Sequence, residues 1–273
     1  MFVLLESKKT YVYTGGKPWS AEKLHSSKPT LVFVHGAQHD HSVWALQSRY
    51  FANHGYPVIA VDLPGHGRSD GPALLSVETI ANWLGDLLIK LNINKAVMIG
   101  HSMGSLIALE LAASERLSVA GLALLGTAVP MPVSDALLEL TQTSEANALD
   151  QINAWSHSSI AQRPGSPGPG FSTYIQNLRL MQRQTPGLLH IDFSACNSYS
   201  NGGKSASSVT CPTIIIQGQL DLMTPVKSAR ESMKLFGTTP GLVLIDQAGH
   251  ALMAERPDAV LVALRNWITD LSA

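Results

Sequence analysis

The sequence predicts an α/β chain built on a doubly wound, mostly parallel sheet, and three observations carry that prediction. First, short apolar runs recur without polar alternation: LVFV at 31, VIAVD at 58, AVMIG at 96, VAGLALLG at 119, TIIIQG at 213 and LVLID at 242. Strands apolar on both sides belong to a sheet covered on both faces. Second, helical periodicity falls between them, at Val77 to Leu91, Met103 to Ser114 and Asp258 to Leu271, the last opening on Pro257, where a proline is favourable. Strand–helix alternation is the pattern of βαβ units. Third, 273 residues at 45% hydrophobic and 14% charged are enough for one full core with a sizeable insertion.

Taken in order, Phe2 to Leu5 and Tyr11 to Thr14 read as a hairpin turning on the charged Glu6 to Lys9. Pro18 to Pro29 is polar connection. The strands and helices above then follow to residue 129 and resume at 211, so residues 1–129 and 211–273 are expected to form the core domain. Residues 130–210 break the rhythm. Their segments SDALLELTQ, EANALDQINAW, FSTYIQNLRLMQ and GLLHIDFSACNSY have the spacing of short amphipathic helices, too weak alone to make an independent core, and the expected role is a helical lid. The breaker-rich RPGSPGPG at 163 to 170 is its expected flexible part.

Charge and targeting signals narrow the partners. A net charge of −1 offers no basic face to nucleic acid and no polybasic anchor to a membrane, which leaves a small molecule as the expected partner and a monomer or homodimer as the expected state. Cys196 and Cys211 lack metal-ligand or C-x-x-C spacing and read as free thiols. MFVLLESKK is too short a run for a signal-peptide core, so a cytoplasmic location is expected.

The chemistry rests on Gly100-His-Ser-Met-Gly104 between the strand AVMIG and the apolar helix SLIALELAA. This is G-x-S-x-G in the strand–turn–helix setting of a nucleophile elbow, where the turn is sharp enough that its flanks must be nearly without side chains. The following helix aims its free N–H groups and positive dipole end at Ser102. A serine hydroxyl needs a base, and an acid to orient that base, in the order Ser, Asp or Glu, His. Asp221 follows the strand TIIIQG, and His250 follows LVLID. Parallel strands deliver both loops to the edge that carries Ser102. Asp246 is a rival acid but reads as a strand end.

With these pieces in place the chain resembles the α/β-hydrolase superfamily, in its lid-bearing serine esterase branch. The matching segments are HG at 35, DLPGHGRSDGP at 62, GHSMGS at 100, GQLDLMTP at 218 and AGHALMAERPDAV at 248, spanning nearly everything but the insertion. The resemblance implies an eight-stranded, mostly parallel sheet with helices on both faces and a helical cap inserted after the sixth strand. It also implies a serine hydrolase, needing no cofactor, that cleaves carboxylic esters of small to medium apolar acyl groups through an acyl-enzyme. Ser102 stands where dehalogenases and epoxide hydrolases of this fold carry an aspartate. A thioesterase, a lactonase, a carbon–carbon bond hydrolase or a non-hydrolytic receptor on the same fold remain the alternatives.

The resemblance further implies that His35-Gly36 opens an oxyanion loop, with the backbone N–H groups of Ala37 and Met103 as donors. His35 is then a structural histidine. The loop continues as HGAQHDHSVW, dense enough in histidine and aspartate to suggest a metal, but Ser42 to Ala45 supply no further ligand, and no metal site is expected. Candidate pocket residues are Gly36, Gln38, His39 and Trp44 on this loop, Trp155 and Met181 in the insertion, and Met223 and Ala251 beside the acid and base. Trp44 reads equally as core, and the insertion residues Trp155 and Met181 as core of the cap. His66 and Arg68 read as loop anchors.

Overall fold

The computed structural model describes residues 1–19, 28–160 and 172–271. Eight strands, β1 (Phe2–Leu5), β2 (Lys8–Tyr13), β3 (Thr30–Val34), β4 (Val58–Val61), β5 (Lys95–His101), β6 (Ser118–Leu125), β7 (Thr213–Gly218) and β8 (Gly241–Ile245), form one sheet in the order β1-β2-β4-β3-β5-β6-β7-β8. β2 runs antiparallel to β1 and to β4, and every other pairing is parallel. This is the α/β-hydrolase fold that the motifs implied.

The missing polar alternation has its cause in double coverage. Val32, Val34, Ile59, Val61 and Met98 face one apolar cluster, while Leu31, Phe33, Val58, Ala60, Val97 and Ile99 face the other. Helices α1 (Ala45–Asn53), α2 (Val77–Lys90) and α3 (Met103–Ala113) follow β3, β4 and β5. Ser76 begins α2 with a reciprocal capping box to Thr79. The amino-terminal hairpin differs from expectation, because Lys8 and Lys9 lie in the strand, paired with Leu5 and Leu4, and the turn shrinks to Glu6 and Ser7. Both turn residues have positive φ, the geometry of a tight hairpin, and the two lysines are exposed.

Between β6 and β7 lie α4 (Asp135–Thr143), α5 (Glu145–Ser156), α6 (Thr173–Gln182), α7 (Leu188–Ser198) and α8 (Gly202–Ser208). The tract at 163 to 170 lies outside the described residues. The inserted helices share a small cluster of Leu137, Ala148, Leu149, Ile152, Met181, Leu189 and Phe193, against which Ala37 and Met223 of the sheet-edge loops pack. So few residues could not hold the insertion alone, and its cluster is completed by loops of the sheet. Around and after β8 come α9 (Val226–Met233), α10 (Leu252–Glu255) and α11 (Pro257–Asp270); α1, α8, α9 and α10 are helices that periodicity did not single out. Among the described residues no helix is long and apolar enough to cross a membrane.

The elbow is the tightest point of the fold. Ser102 sits at φ 53°, ψ −122°, a conformation that an L-residue holds only when its surroundings over-determine it. A Cβ on Gly100 would stand 2.1 Å from the Gly104 carbonyl oxygen, and one on Gly104 would stand 2.4 Å from the carbonyl oxygens of Val34 and His35. These obstacles are backbone, so only glycine lets β5, α3 and the end of β3 cross.

Candidate active site

Ser102 is presented at the carboxyl end of β5, and Asp221 and His250 arrive on the loops after β7 and β8. Nδ1 of His250 lies 2.8 Å from Oδ2 of Asp221. A carboxylate only accepts, so Nδ1 carries the proton, and Nε2 is left with its lone pair. The Asp221 carboxylate is itself saturated. Oδ2 also accepts from Gln217 Nε2 (2.8 Å) and Thr224 Oγ1 (2.9 Å), and Oδ1 accepts the Met223 and Thr224 N–H groups, each at 2.8 Å. The rival Asp246 is exposed. The His250 loop is held at its carbonyl by His101 Nε2 (2.9 Å), and at either side by Gly249 N–H donating to Glu255 and Ala251 N–H donating to the Ser156 carbonyl at the end of α5.

Ala37, Ser102, Thr224 and His250 line one cavity of about 180 Å³. Its remaining wall is Met131, Pro132, Val133, Ser134, Leu137, Trp155, Phe193, Cys196, Leu222 and Met223. Of the candidate pocket residues, Trp155 and Met223 thus line the cavity that holds Ser102. A second cavity of about 700 Å³ shares His250 and is lined by His39, His101, Ala251 and residues of α1, α6 and α10. His39 and Ala251 therefore face this larger space instead of the one containing Ser102. Gly36 approaches Ser102 closely, a Cβ there standing 3.0 Å from Ser102 Cβ.

Three expectations for the pocket are corrected. Trp44 is fully buried beneath the sheet, its ring 5.3 Å from that of Phe33, because the turn His41–Trp44 directs it inward onto an apolar face. Met181 is the centre of the insertion's own cluster. Gln38 is turned away from both cavities, its side chain donating to the Met181 carbonyl at 3.0 Å. Conversely, Cys196 and Thr224, which the sequence reading did not single out, line the cavity that holds Ser102. For Thr224 a signal existed: an aspartate accepting N–H groups two and three residues on is an Asx-type turn, and D-L-M-T shows it.

The dense histidine loop is built as scaffold. Asp40 accepts from Ser42 N–H, from Arg183 and from Gln184; burial works to raise its pKa, but these donors outweigh it and hold the carboxyl well below its usual range. Asp62 accepts from the N–H groups of His41 and Arg68 and faces His41 Nδ1 at 2.7 Å. The cluster Asp40, His41 and Asp62 could be drawn as a cation site, but its carboxylates already serve protein donors.

His35 donates from Nδ1 to the Gly36 carbonyl (2.8 Å) and accepts at Nε2 from the Leu63 N–H (3.1 Å), so it is a neutral ring with both nitrogens used. Burial pushes its pKa down to about 4. A depressed pKa means the unfolded chain takes up the proton first, so stability is complete above pH 6.5 and falls as the pH drops from 6.5 towards 4. The loss assignable to His35 is about 3 kcal/mol. Urea unfolding of wild type and His35→Gln at pH 7 and pH 4.5 measures it as the difference in their pH slopes. Equal slopes would refute the neutral, fully bonded ring.

Residues 31–264 match the sequence pattern described as the alpha/beta hydrolase family. Over 253 residues the chain is 23% identical to an (E)-2-((N-methylformamido)methylene)succinate hydrolase of Acinetobacter baylyi, covering 87% of this chain and 89% of that protein. It is 25% identical over 255 residues to 3-oxoadipate enol-lactonase 1 of the same organism, covering 89% and 90%. Among solved structures, a thermophilic esterase from Thermogutta terrifontis superposes with a TM-score of 0.83 at 20% identity, covering 100% of this chain and 99% of that one.

Proposed function

The chain belongs to the alpha/beta hydrolase family, and we propose that it is a serine hydrolase of carboxylic esters in which Ser102 is the nucleophile, His250 the base and Asp221 the group that orients it. The observation that carries this reading is the orientation of His250. With Nδ1 committed to Asp221, Nε2 is the atom available to take the Ser102 proton as Oγ attacks the ester carbonyl. The tetrahedral oxygen would be held by the N–H of Ala37 and by that of Met103, the first of α3 and without a carbonyl partner of its own in the helix. Collapse expels the alcohol, which takes its proton from His250, and water repeats the sequence on the acyl-enzyme.

The cavity wall supports the choice of acyl group. Met131, Val133, Leu137, Trp155, Phe193, Leu222 and Met223 are apolar, and no lysine or arginine is among the described residues lining it. Its volume of about 180 Å³ is below that of sites for drug-sized ligands. A short, neutral acyl group fits both facts. The acids named in the two bacterial relatives, 3-oxoadipate and succinate, are dicarboxylates, for which this wall offers no cation. A lactone is an internal ester, so lactone cleavage falls within the same reading. The helices α4 to α8 would serve as its cap, since α4, α5 and α7 supply Leu137, Trp155 and Phe193 to the wall.

The test is turnover of p-nitrophenyl acetate, butyrate, octanoate and the succinate half-ester in EDTA. We expect kcat/KM to peak at acetate or butyrate, and to be lower by about tenfold or more for octanoate, whose chain exceeds the cavity, and for the half-ester, whose unpaired charge must be desolvated. Absence of any turnover, or a preference for the half-ester, would refute the reading.

A further inference from the structure

The N–H of Ala37 can serve an oxyanion only if two successive peptide planes stay fixed. The first plane holds the Gly36 carbonyl and the Ala37 N–H, which point in opposite directions across a trans peptide. His35 Nδ1 ties that carbonyl at 2.8 Å. The second plane holds the Ala37 carbonyl and the Gln38 N–H. His39 Nδ1 binds the carbonyl at 2.6 Å, and Oδ2 of Asp192 accepts the N–H at 2.8 Å. The plane is thus held at both ends, and it needs to be, because Gln38 sits at φ 58°, a left-handed conformation that favours glycine.

Asp192 does not belong to this loop or to the sheet. It lies on α7 in the insertion, 154 residues along the chain from Gln38, and is 1% exposed. A lone buried carboxylate is costly. Here the same Oδ2 also accepts from His66 Nε2 at 2.9 Å, while His66 Nδ1 faces the Pro64 carbonyl at 3.0 Å. Both ring nitrogens face oxygen acceptors, an arrangement that favours the protonated ring. Burial disfavours that charge, but Asp192 outweighs it, and the His66 pKa stands above its ordinary value. One oxygen of Asp192 thus joins a histidine of one core loop to the backbone of another.

We propose that Asp192 is a positioning residue for the oxyanion hole: by accepting the Gln38 N–H it fixes the peptide that aims the Ala37 N–H, so the insertion sets transition-state stabilisation as well as covering the pocket. The inference rests on the serine hydrolase reading above. His39 reinforces the arrangement, its Nε2 lying 2.9 Å from Asn177 Oδ1 on α6, so two inserted helices hold opposite ends of one peptide. A further tie, Gln38 Nε2 donating to the Met181 carbonyl at 3.0 Å, holds the side chain of residue 38 and not its peptide, and ties elsewhere bypass residues 36–38. Gln184, for example, accepts the Gly67 N–H at 2.8 Å and donates to Asp40.

The experiment needs a probe that uses the oxyanion hole without presupposing the natural substrate. An alkyl fluorophosphonate meets this need: Ser102 Oγ bonds to phosphorus, fluoride leaves, the serine proton passes to His250, and the phosphoryl oxygen occupies the hole. Second-order labelling rates are measured by intact mass for wild type, Asp192→Ala, Asp192→Asn and Gln184→Ala, beside Tm and the KM for p-nitrophenyl butyrate. Asp192→Ala should label about ten- to a hundredfold more slowly, less than loss of an oxyanion donor itself, with KM within about twofold of wild type. Asp192→Asn retains one acceptor oxygen and should fall between, slower by about three- to tenfold. Gln184→Ala should lose thermal stability and label at the wild-type rate. Wild-type labelling of folded Asp192→Ala would overturn the inference, as would labelling losses that merely track Tm across all three variants. Should the alanine variant fail to fold, wild-type labelling of Asp192→Asn overturns it equally. A wild type that resists the probe overturns the hydrolase reading, and this inference with it, whereas a labelled wild type with an unaffected Asp192→Ala overturns the inference alone.

Discussion

Exchange of Ser102 for alanine is expected to lower kcat/KM for p-nitrophenyl butyrate by about 10⁵- to 10⁶-fold, with KM nearly unchanged. The change removes one oxygen from a side chain that is only partly buried, at a backbone position fixed by Gly100 and Gly104 rather than by the hydroxyl. The elbow therefore stays folded. The Ser102 N–H still donates to the Leu125 carbonyl at 2.9 Å, and Ser105 N–H still caps the turn at the Ser102 carbonyl. What remains is binding and the oxyanion donors, which act on water directly and leave a residual acceleration of about 10³- to 10⁴-fold over the uncatalysed reaction. Steady-state rates in EDTA, beside thermal unfolding of both proteins, decide the matter. A variant within tenfold of wild type would mean that another nucleophile cleaves the ester, and the proposed role of Ser102 would be abandoned.

The fold was legible because its causes are local. A strand such as LVFV, apolar on both sides, has few places to go except the middle of a covered sheet, and the glycines around Ser102 answer a clash that the strand–turn–helix geometry makes inevitable. The order Ser102, Asp221, His250 was legible for a related reason, since parallel strands bring successive loops to one edge. Asp192 and Asn177 were not, because their partners lie 154 and 138 residues away, and docking of the insertion chooses them. Trp44 shows the opposite difficulty. Its place in a loop beside the site suggested a pocket wall, yet an indole next to an uncovered sheet face buries more apolar surface under the sheet, against Phe33.

The distribution of polar contacts gives the insertion a second task. Gln38, His39 and Gly67 on the sheet's edge loops, and Ala251 beside His250, each bond to residues between α5 and α7 or to the chain linking them. The loops that carry Ala37 and His250 are thus braced from outside the sheet. On the proposed function, acyl specificity and catalytic geometry would depend on the same helices, since Phe193 of the cavity wall adjoins Asp192 on α7 and Trp155 adjoins Ser156 on α5.

Asp221→Asn should cost about 10⁴-fold in kcat, and the hydrogen bonds around the carboxylate say why. Both oxygens of Asp221 only accept, Oδ1 from two backbone N–H groups and Oδ2 from Gln217, Thr224 and His250. An asparagine must put its NH₂ on one side. Facing the Met223 and Thr224 N–H groups it meets donors that cannot turn, and two buried donors lose their acceptor. Facing His250 it meets a ring that can adapt, by moving its proton from Nδ1 to Nε2, while the Thr224 hydroxyl rotates and a single Gln217 N–H loses its acceptor. The second arrangement costs less, and it converts the base into a donor pointing at Ser102. The fold and KM should survive while kcat collapses, and ¹⁵N chemical shifts of the His250 ring would report the exchanged tautomer directly. Asp246→Asn, altering an exposed carboxylate four residues before the histidine, should leave kcat unchanged. If Asp221→Asn instead keeps kcat within tenfold of wild type with the proton still on Nδ1, the histidine is oriented by its bonds to the loop alone, and Asp221 is a turn former whose contact with His250 carries no catalytic weight.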